Sequence, residues 1–173
     1  MRRALLISIA ILFGAATLFA QVRTGAMKQM LSLDPVPGSV KPTSLPPDGR
    51  PWIVFIFKAC CAPADQAAGW VVDAEQRYGD RVGIVGLNVD RTRTIQKVPG
   101  WLHNRNVSFP VLWDATGQVS TQSWGVVAPP TVVLLDSTGA EVYRTMGYIP
   151  AYNDKLTAKL ESLLSDETQG ETP

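Results

Sequence analysis

The sequence has few residues that bind metals or form disulfides: two cysteines and one histidine among 173 residues. The two cysteines, Cys60 and Cys61, are adjacent. The chain therefore lacks the spaced cysteines of a small disulfide-rich secreted domain and the four-ligand spacing of a structural zinc site. We expect no metal or other cofactor, and we expect the cysteine pair to supply either local chemistry or packing.

An excess of charge of one sign is also missing. Sixteen Lys and Arg residues nearly balance fifteen Asp and Glu residues, which leaves a formal net charge of +1. No basic run is interleaved with aromatic residues, so the electrostatic pattern typical of nucleic-acid binding is absent. The sequence predicts no nucleic-acid partner.

The N-terminus has the pattern of a membrane-targeting segment. Arg2 and Arg3 precede an uncharged, mostly apolar run from residue 4 to residue 20. Residues 1–22 are therefore predicted to be a signal or transmembrane helix, with a buried core helix as the alternative. Leu18 stands where a cleavage site prefers a small residue, which favours a retained anchor. Arg2 and Arg3 then remain inside, and the rest of the chain lies outside.

The remaining sequence has enough apolar residues, 46% of the whole chain, for one compact domain. Residues 23–46 contain Pro35, Pro37, Pro42 and Pro46 among Gly, Ser and Thr, which predicts a Pro-rich linker. We assign residues 47–165 to the domain. The polar residues 166–173 are predicted to form a disordered tail.

Within the domain, strand-like apolar runs alternate with segments of helical periodicity. The predicted strands are residues 52–57, 82–89, 109–113, 131–135 and 140–146. The predicted helices are residues 64–78, part of 94–106 with a break at Pro99-Gly100, 119–124, and a last helix with Leu156, Leu160, Leu163 and Leu164 on one face. This order predicts an α/β fold with a mixed central sheet, parallel inside and antiparallel at one edge, flanked by helices.

Cys61 follows the end of the first predicted strand after three residues and precedes the first predicted helix. The unpaired N–H groups and the partial positive charge of a helix N-terminus favour a thiolate there. Pro63 suits the first helical turn, and Lys58 adds positive charge nearby. An exposed thiolate in this position is the form that attacks disulfides.

The segment from Trp52 to Asp65 resembles the active-site segment of thioredoxin-like proteins of the TlpA, ResA and DsbE group. In that group a hydrophobic strand leads through an aromatic-Ala-Ser/Thr-Trp pattern into Cys-Pro-Pro-Cys. By this resemblance Cys60 replaces the Trp, Cys61 is the nucleophilic cysteine, and Ala64 replaces the resolving cysteine.

A second segment, residues 124–136, is similar to the family's Tyr-Gly-Val-x-Gly-x-Pro-Thr-x-Phe-Leu-Ile-Asp motif. The resemblance, which covers residues 47–164, implies a thioredoxin-like fold with a cis peptide bond before Pro130. It also implies that Pro129, Pro130 and Thr131 bind an extended substrate segment and hold its sulfur against Cys61.

The departure at Ala64 removes the second cysteine that normally resolves the mixed disulfide. Cys60 could substitute for it, but adjacent Cα atoms lie about 3.8 Å apart, so a Cys60–Cys61 bridge would be strained. The alternative interpretation of Cys60 is a small buried apolar residue in place of Trp.

The resemblance implies a thiol-disulfide oxidoreductase anchored by a single pass in the bacterial inner membrane, with its domain in the periplasm. Cysteine-containing periplasmic proteins and a membrane thiol reductant are the implied partners, in redox homeostasis or cytochrome c maturation. Two alternatives remain open. One is a non-catalytic binding module for client proteins, and the other is a Cu(I) site of Cys60, Cys61 and His103.

Overall fold

The computed structural model describes the backbone of residues 26–169 and the side chains of residues 26–165. The predicted signal or transmembrane helix, residues 1–22, lies outside the described residues. Within residues 26–169, no helix combines the length and the apolar character that crossing a bilayer requires.

Five strands and four helices make up the described chain. The strands are β1 (Trp52–Phe57), β2 (Gly83–Asn88), β3 (Val111–Trp113), β4 (Thr131–Leu135) and β5 (Glu141–Arg144). The helices are α1, of which residues 26–31 are described, α2 (Ala62–Tyr78), α3 (Val98–His103) and α4 (Tyr152–Gln169). Short 3₁₀ turns occur at Gly79–Arg81 and Ile95–Lys97, and a π-helical turn at Val119–Ser123.

The strands form one mixed sheet in the order β3-β2-β1-β4-β5. β1 is parallel to β2, which is parallel to β3, whereas β1–β4 and β4–β5 are antiparallel. The predicted α/β fold with a mixed sheet is therefore confirmed. The antiparallel part contains two strands, and the central strand β1 joins it to the parallel part.

β1 is central because both of its faces are apolar. Ile53, Phe55 and Phe57 pack into one core with residues of α2, α3 and α4. The alternate residues Trp52, Val54 and Ile56 belong to a second core on the other face of the sheet. All six residues of β1 are buried, which is why its sequence is a continuous apolar run rather than an alternating one.

The described part of the predicted linker, residues 26–46, is packed against the sheet, so the expectation of a free tether is wrong there. Met27, Met30 and Val36 are at most 4% exposed. The backbone N–H of Val36 donates to the Val111 carbonyl at 3.0 Å. Met27 and Met30 belong to the core on the second face of the sheet, and Val36 belongs to the core on the first face. These side chains cover apolar surface of the sheet despite the prolines in the segment.

Two predicted helix limits also need correction. Pro99-Gly100 was expected to break a helix, but Pro99 lies in the first turn of α3, where its missing N–H costs no hydrogen bond. The backbone of α4 continues to Gln169, through the first residues of the predicted disordered tail. No Gly or Pro interrupts it before Gly170.

Candidate functional site

The polar and sulfur-containing residues meet at one end of the sheet, where the parallel strands finish and β4 begins. Phe57, the last residue of β1, pairs with Asn88, and Asn88 pairs with Trp113 at the end of β3. Because β4 is antiparallel to β1, its first residue, Thr131, pairs with Ile56. The segment that carries Cys61 after β1 and the segment that carries Pro130 before β4 therefore emerge side by side.

Cys61 is the N-cap residue of α2 and is exposed to solvent. Its backbone is extended, and its carbonyl accepts hydrogen bonds from the N–H groups of Ala64 at 3.0 Å and Asp65 at 3.2 Å. Its side chain makes no capping hydrogen bond to the helix, and its thiol contacts that of Cys60. Pro63 lies in the first turn, as predicted.

Ala64 is fully buried, with 0% of its surface exposed. It is one of the buried residues of α2, together with Ala67, Ala68 and Val71. The position that the resemblance assigns to a resolving cysteine is therefore filled by a methyl group in the core. No second thiol in the helix can attack a disulfide formed at Cys61.

Cys60 is exposed, which contradicts the interpretation of Cys60 as a buried apolar replacement for Trp. Its N–H donates to the carbonyl of Lys58 at 2.9 Å, so the chain turns sharply away from β1 before Cys60. Partial burial of the thiol, its contact with Cys61, and the Asp90 carboxylate raise the pKa of Cys60, and the Lys58 ammonium opposes them. Cys60 is therefore held as a thiol to higher pH than an ordinary cysteine.

The buried carboxylate of Asp90 holds this turn in place. Asp90 is 2% exposed, and its Oδ2 accepts hydrogen bonds from the Ala59 N–H at 2.7 Å and from Asn88 Nδ2 at 2.9 Å. Its Oδ1 accepts from Thr94 Oγ1 at 2.7 Å, and its carbonyl accepts from Trp113 Nε1 at 2.7 Å. Asp90 was not among the predicted site residues. The sequence signal for it was the presence of polar residues directly after the apolar strand β2.

An aromatic and charged cluster supports the first turn of α2. Trp101 stacks on Phe57 with ring centroids 5.0 Å apart, and its Nε1 donates to Asp65 Oδ1 at 2.9 Å. Arg105 lies over the Trp101 ring at 4.4 Å and pairs with the Asp65 carboxylate at 2.5 Å. The Arg105 charge therefore offsets the one acidic side chain in the first turn of α2, close to Cys61.

The loop before β4 has the predicted cis peptide bond between Pro129 and Pro130. A second cis bond, between Pro46 and Pro47, was not predicted. Pro129 is exposed and Pro130 is buried. Thr131 is buried, and its hydroxyl donates to the Ala128 carbonyl at 3.1 Å, so its side chain shapes the loop rather than facing a substrate.

The copper hypothesis fails on geometry. Across residues 26–165, no three side chains of His, Cys, Asp or Glu come close enough together to hold a metal ion. Cys60, Cys61 and His103 therefore do not form a metal site.

Replacement of Asp90 by Ala should destabilise the protein, because the buried Asn88 amide and the Ala59 N–H lose their acceptor. We expect a loss of about 3 kcal/mol in the free energy of unfolding, measured by chemical denaturation. The matched control is Asp80→Ala, at an exposed residue, with an expected change within about 0.5 kcal/mol. Equal stability of the two variants would show that Asp90 does not hold the turn.

No family profile and no curated protein matches this sequence. Solved structures do match. A proposed thiol:disulfide interchange protein DsbE from Chlorobium tepidum has a TM-score of 0.62 and 23% identity, over 68% of this chain and 82% of that one. An uncharacterized thioredoxin-like protein from Porphyromonas gingivalis has a TM-score of 0.61 and 25% identity, over 79% and 91%.

A third structure, a secreted Mycobacterium tuberculosis disulfide oxidoreductase homologous to Escherichia coli DsbE, has a TM-score of 0.57. It is 17% identical over 66% of this chain and 83% of that chain. These matches show that the chain has the thioredoxin-like fold.

Proposed function

We propose that this chain, which has the thioredoxin-like fold, carries out thiol-disulfide exchange with Cys61 as its single nucleophile. The observation that carries the proposal is an exposed, uncapped Cys61 thiol at the start of α2, with a buried alanine at residue 64. Cys61 stands at the positive end of the α2 dipole, which stabilises negative charge that develops on an attacking sulfur.

The reaction begins when the Cys61 thiolate attacks one sulfur of a client disulfide. A bond forms between Cys61 and that sulfur, the client S–S bond breaks, and the second client sulfur leaves as a thiolate. Because Ala64 has no thiol, the mixed disulfide must be resolved by Cys60 or by an external thiol. The raised pKa of Cys60 makes its thiolate scarce near neutral pH, which favours the external thiol.

The same buried Ala64 supports a second candidate function, a binding module that holds client proteins without turnover. The two functions differ in what Cys61→Ser does. The exchange function requires that the variant lose its reaction with disulfides at neutral pH, whereas a binding module would keep its affinity for clients.

The proposal extends to location and partners. Residues 1–22 anchor the chain in the bacterial inner membrane by a single pass, with the domain in the periplasm. Its clients are cysteine-containing periplasmic proteins, in redox homeostasis or cytochrome c maturation, and a membrane thiol reductant is a further partner. The pattern of residues 1–22 and the similarity to DsbE-like structures support this placement.

Alkylation across a pH series tests the proposal on the full chain and on the Cys60→Ala and Cys61→Ser variants. We expect Cys61 to account for most of the alkylation at pH 7. Cys60 should become reactive only as the pH rises, because its raised pKa keeps it protonated at neutral pH. Slow alkylation of both residues at pH 7 would favour the binding module.

A further inference from the structure

A groove of about 300 Å³ lies beside the cysteine segment, between the end of β1 and the loop before β4. Lys58 and Pro129 both line the groove. Lys58 is close in the sequence to the two cysteines, and Pro129 directly precedes Pro130. Neither cysteine lines the groove, but Lys58 lies two residues before Cys60, and Pro129 lies in the loop that emerges beside the cysteine segment. A molecule in this groove therefore lies next to the segment that carries Cys60 and Cys61.

The charged groups that line the groove are both positive, Lys58 and Arg91. Neither forms an ion pair within the part of the chain that the structure describes. The nearby carboxylates of Asp90 and Asp114 are 2% and 1% exposed and accept hydrogen bonds from internal donors. Lys58 and Arg91 thus have no ion-pair partner among the described side chains, and the carboxylates of a ligand would supply one.

The rest of the lining fits a small peptide-like molecule. Thr116 and Thr121 bring hydroxyl groups, and Val127, which is 79% exposed, brings an apolar surface next to Pro129. A volume of about 300 Å³ is at the lower end of the range for small-molecule sites.

We propose that this groove binds a low-molecular-weight thiol that carries carboxylates, and that this thiol resolves the mixed disulfide at Cys61. The inference rests on the proposed function. It supplies a thiol to resolve the mixed disulfide at Cys61, a step for which Ala64 provides no sulfur. The geometry that carries it is the placement of Lys58 and Arg91 in a groove that adjoins the cysteine segment.

The reaction balances with two molecules of the small thiol. The first attacks the Cys61 sulfur as a thiolate, so that the client leaves as a thiolate and Cys61 becomes bonded to the small thiol. The second attacks the sulfur of that bound small thiol, which releases the small disulfide and regenerates the Cys61 thiolate. One client disulfide is reduced, and two small thiols are oxidised to one disulfide.

The test uses the full chain and follows two steps separately. An aromatic disulfide first labels Cys61, and the released coloured thiolate reports that labelling. The labelled chain then reacts with glutathione, a thiol with two carboxylates, or with 2-mercaptoethanol, a thiol with none. We expect the glutathione rate to saturate with concentration and the mercaptoethanol rate to rise linearly.

The matched variants are Arg91→Ala and Arg93→Ala, because Arg93 is also exposed but does not line the groove. In Arg91→Ala, the ratio of the glutathione rate constant to the mercaptoethanol rate constant should fall by about tenfold or more. In Arg93→Ala the ratio should remain that of the unmodified sequence.

Two outcomes would overturn the inference alone. One is an unchanged ratio in Arg91→Ala with normal labelling of Cys61. The other is a slower reaction of Arg91→Ala with a protein disulfide at an unchanged ratio, which would make the groove a client surface. Failure of Cys61 to be labelled at all would instead overturn the proposed function.

Discussion

Replacement of Ala64 by Cys should convert a persistent mixed disulfide at Cys61 into one that the protein resolves by itself. Residue 64 lies one helical turn after Cys61, in the first turn of α2, and its side chain is fully buried beside the sheet. A thiol there is held close to Cys61, so its attack is intramolecular. Intramolecular attack is favoured over attack by a dilute external thiol by a large effective concentration.

We expect release of a labelled client to become at least about 100-fold faster than with a millimolar external thiol. The measurement is the time course of client release after Cys61 is loaded, in a Cys60→Ala background that removes the other thiol. Ala62→Cys is the matched control, because residue 62 is exposed and adjacent to Cys61. Its new thiol would have to form a strained bridge, so release should stay slow.

A result in which Ala64→Cys releases its client no faster than Ala62→Cys would contradict this account of the site. The added sulfur also enters a packed core, at a cost of about 1–3 kcal/mol. Chemical denaturation of the variant checks that it is folded under the conditions of the release assay.

Replacement of Met30 by Ala should cost about 2–5 kcal/mol in the free energy of unfolding, the range for truncating a buried Met, Leu or Ile. Met30 is 0% exposed and belongs to the core on the second face of the sheet, with Trp52, Leu112 and Trp124. The loss combines the transfer free energy of the side chain with the cavity that remains. The measurement is chemical denaturation of the full chain.

Leu31 provides the control, because it follows Met30 in α1 and is 44% exposed. Leu31→Ala should change the free energy of unfolding by no more than about 0.5 kcal/mol. Equal, small effects at both residues would show that the segment before the domain is a tether, as its prolines suggested. A large effect at Met30 alone would make residues 26–46 part of the folded domain.

The sheet and its main helix were predictable because their sequence patterns are strong. β1 is a continuous apolar run, and α2 has helical periodicity with Gly79 at its end; the structure places these elements where the patterns did. Residues 26–46 were not predictable in this way. Proline content suggested a tether, but burial of Met27 and Met30 depends on a sheet face formed by residues far away in the sequence.

The candidate site was predictable at the positions that lie within the two sequence motifs, residues 52–65 and 124–136. The position of Cys61 at the start of α2 follows from local sequence, and the cis bond before Pro130 was implied by the resemblance to the family motif. The role of Asp90 was missed because it is a contact across 31 residues, from the end of β2 to the Ala59 N–H. The exposure of Cys60 was also not predicted. The interpretation of Cys60 as a buried residue rested on the Trp that stands at this position in the family motif.

The central claim is that Cys61 acts as the single nucleophile, and the most direct test is to trap the intermediate. The full chain would be mixed with a disulfide-bonded peptide in the absence of any small thiol, quenched with acid, and mapped by mass spectrometry. Our account predicts one mixed disulfide, on Cys61, that persists until a small thiol is added and that is absent in Cys61→Ser. A mixed disulfide on Cys60, or no mixed disulfide in the unmodified chain, would contradict it.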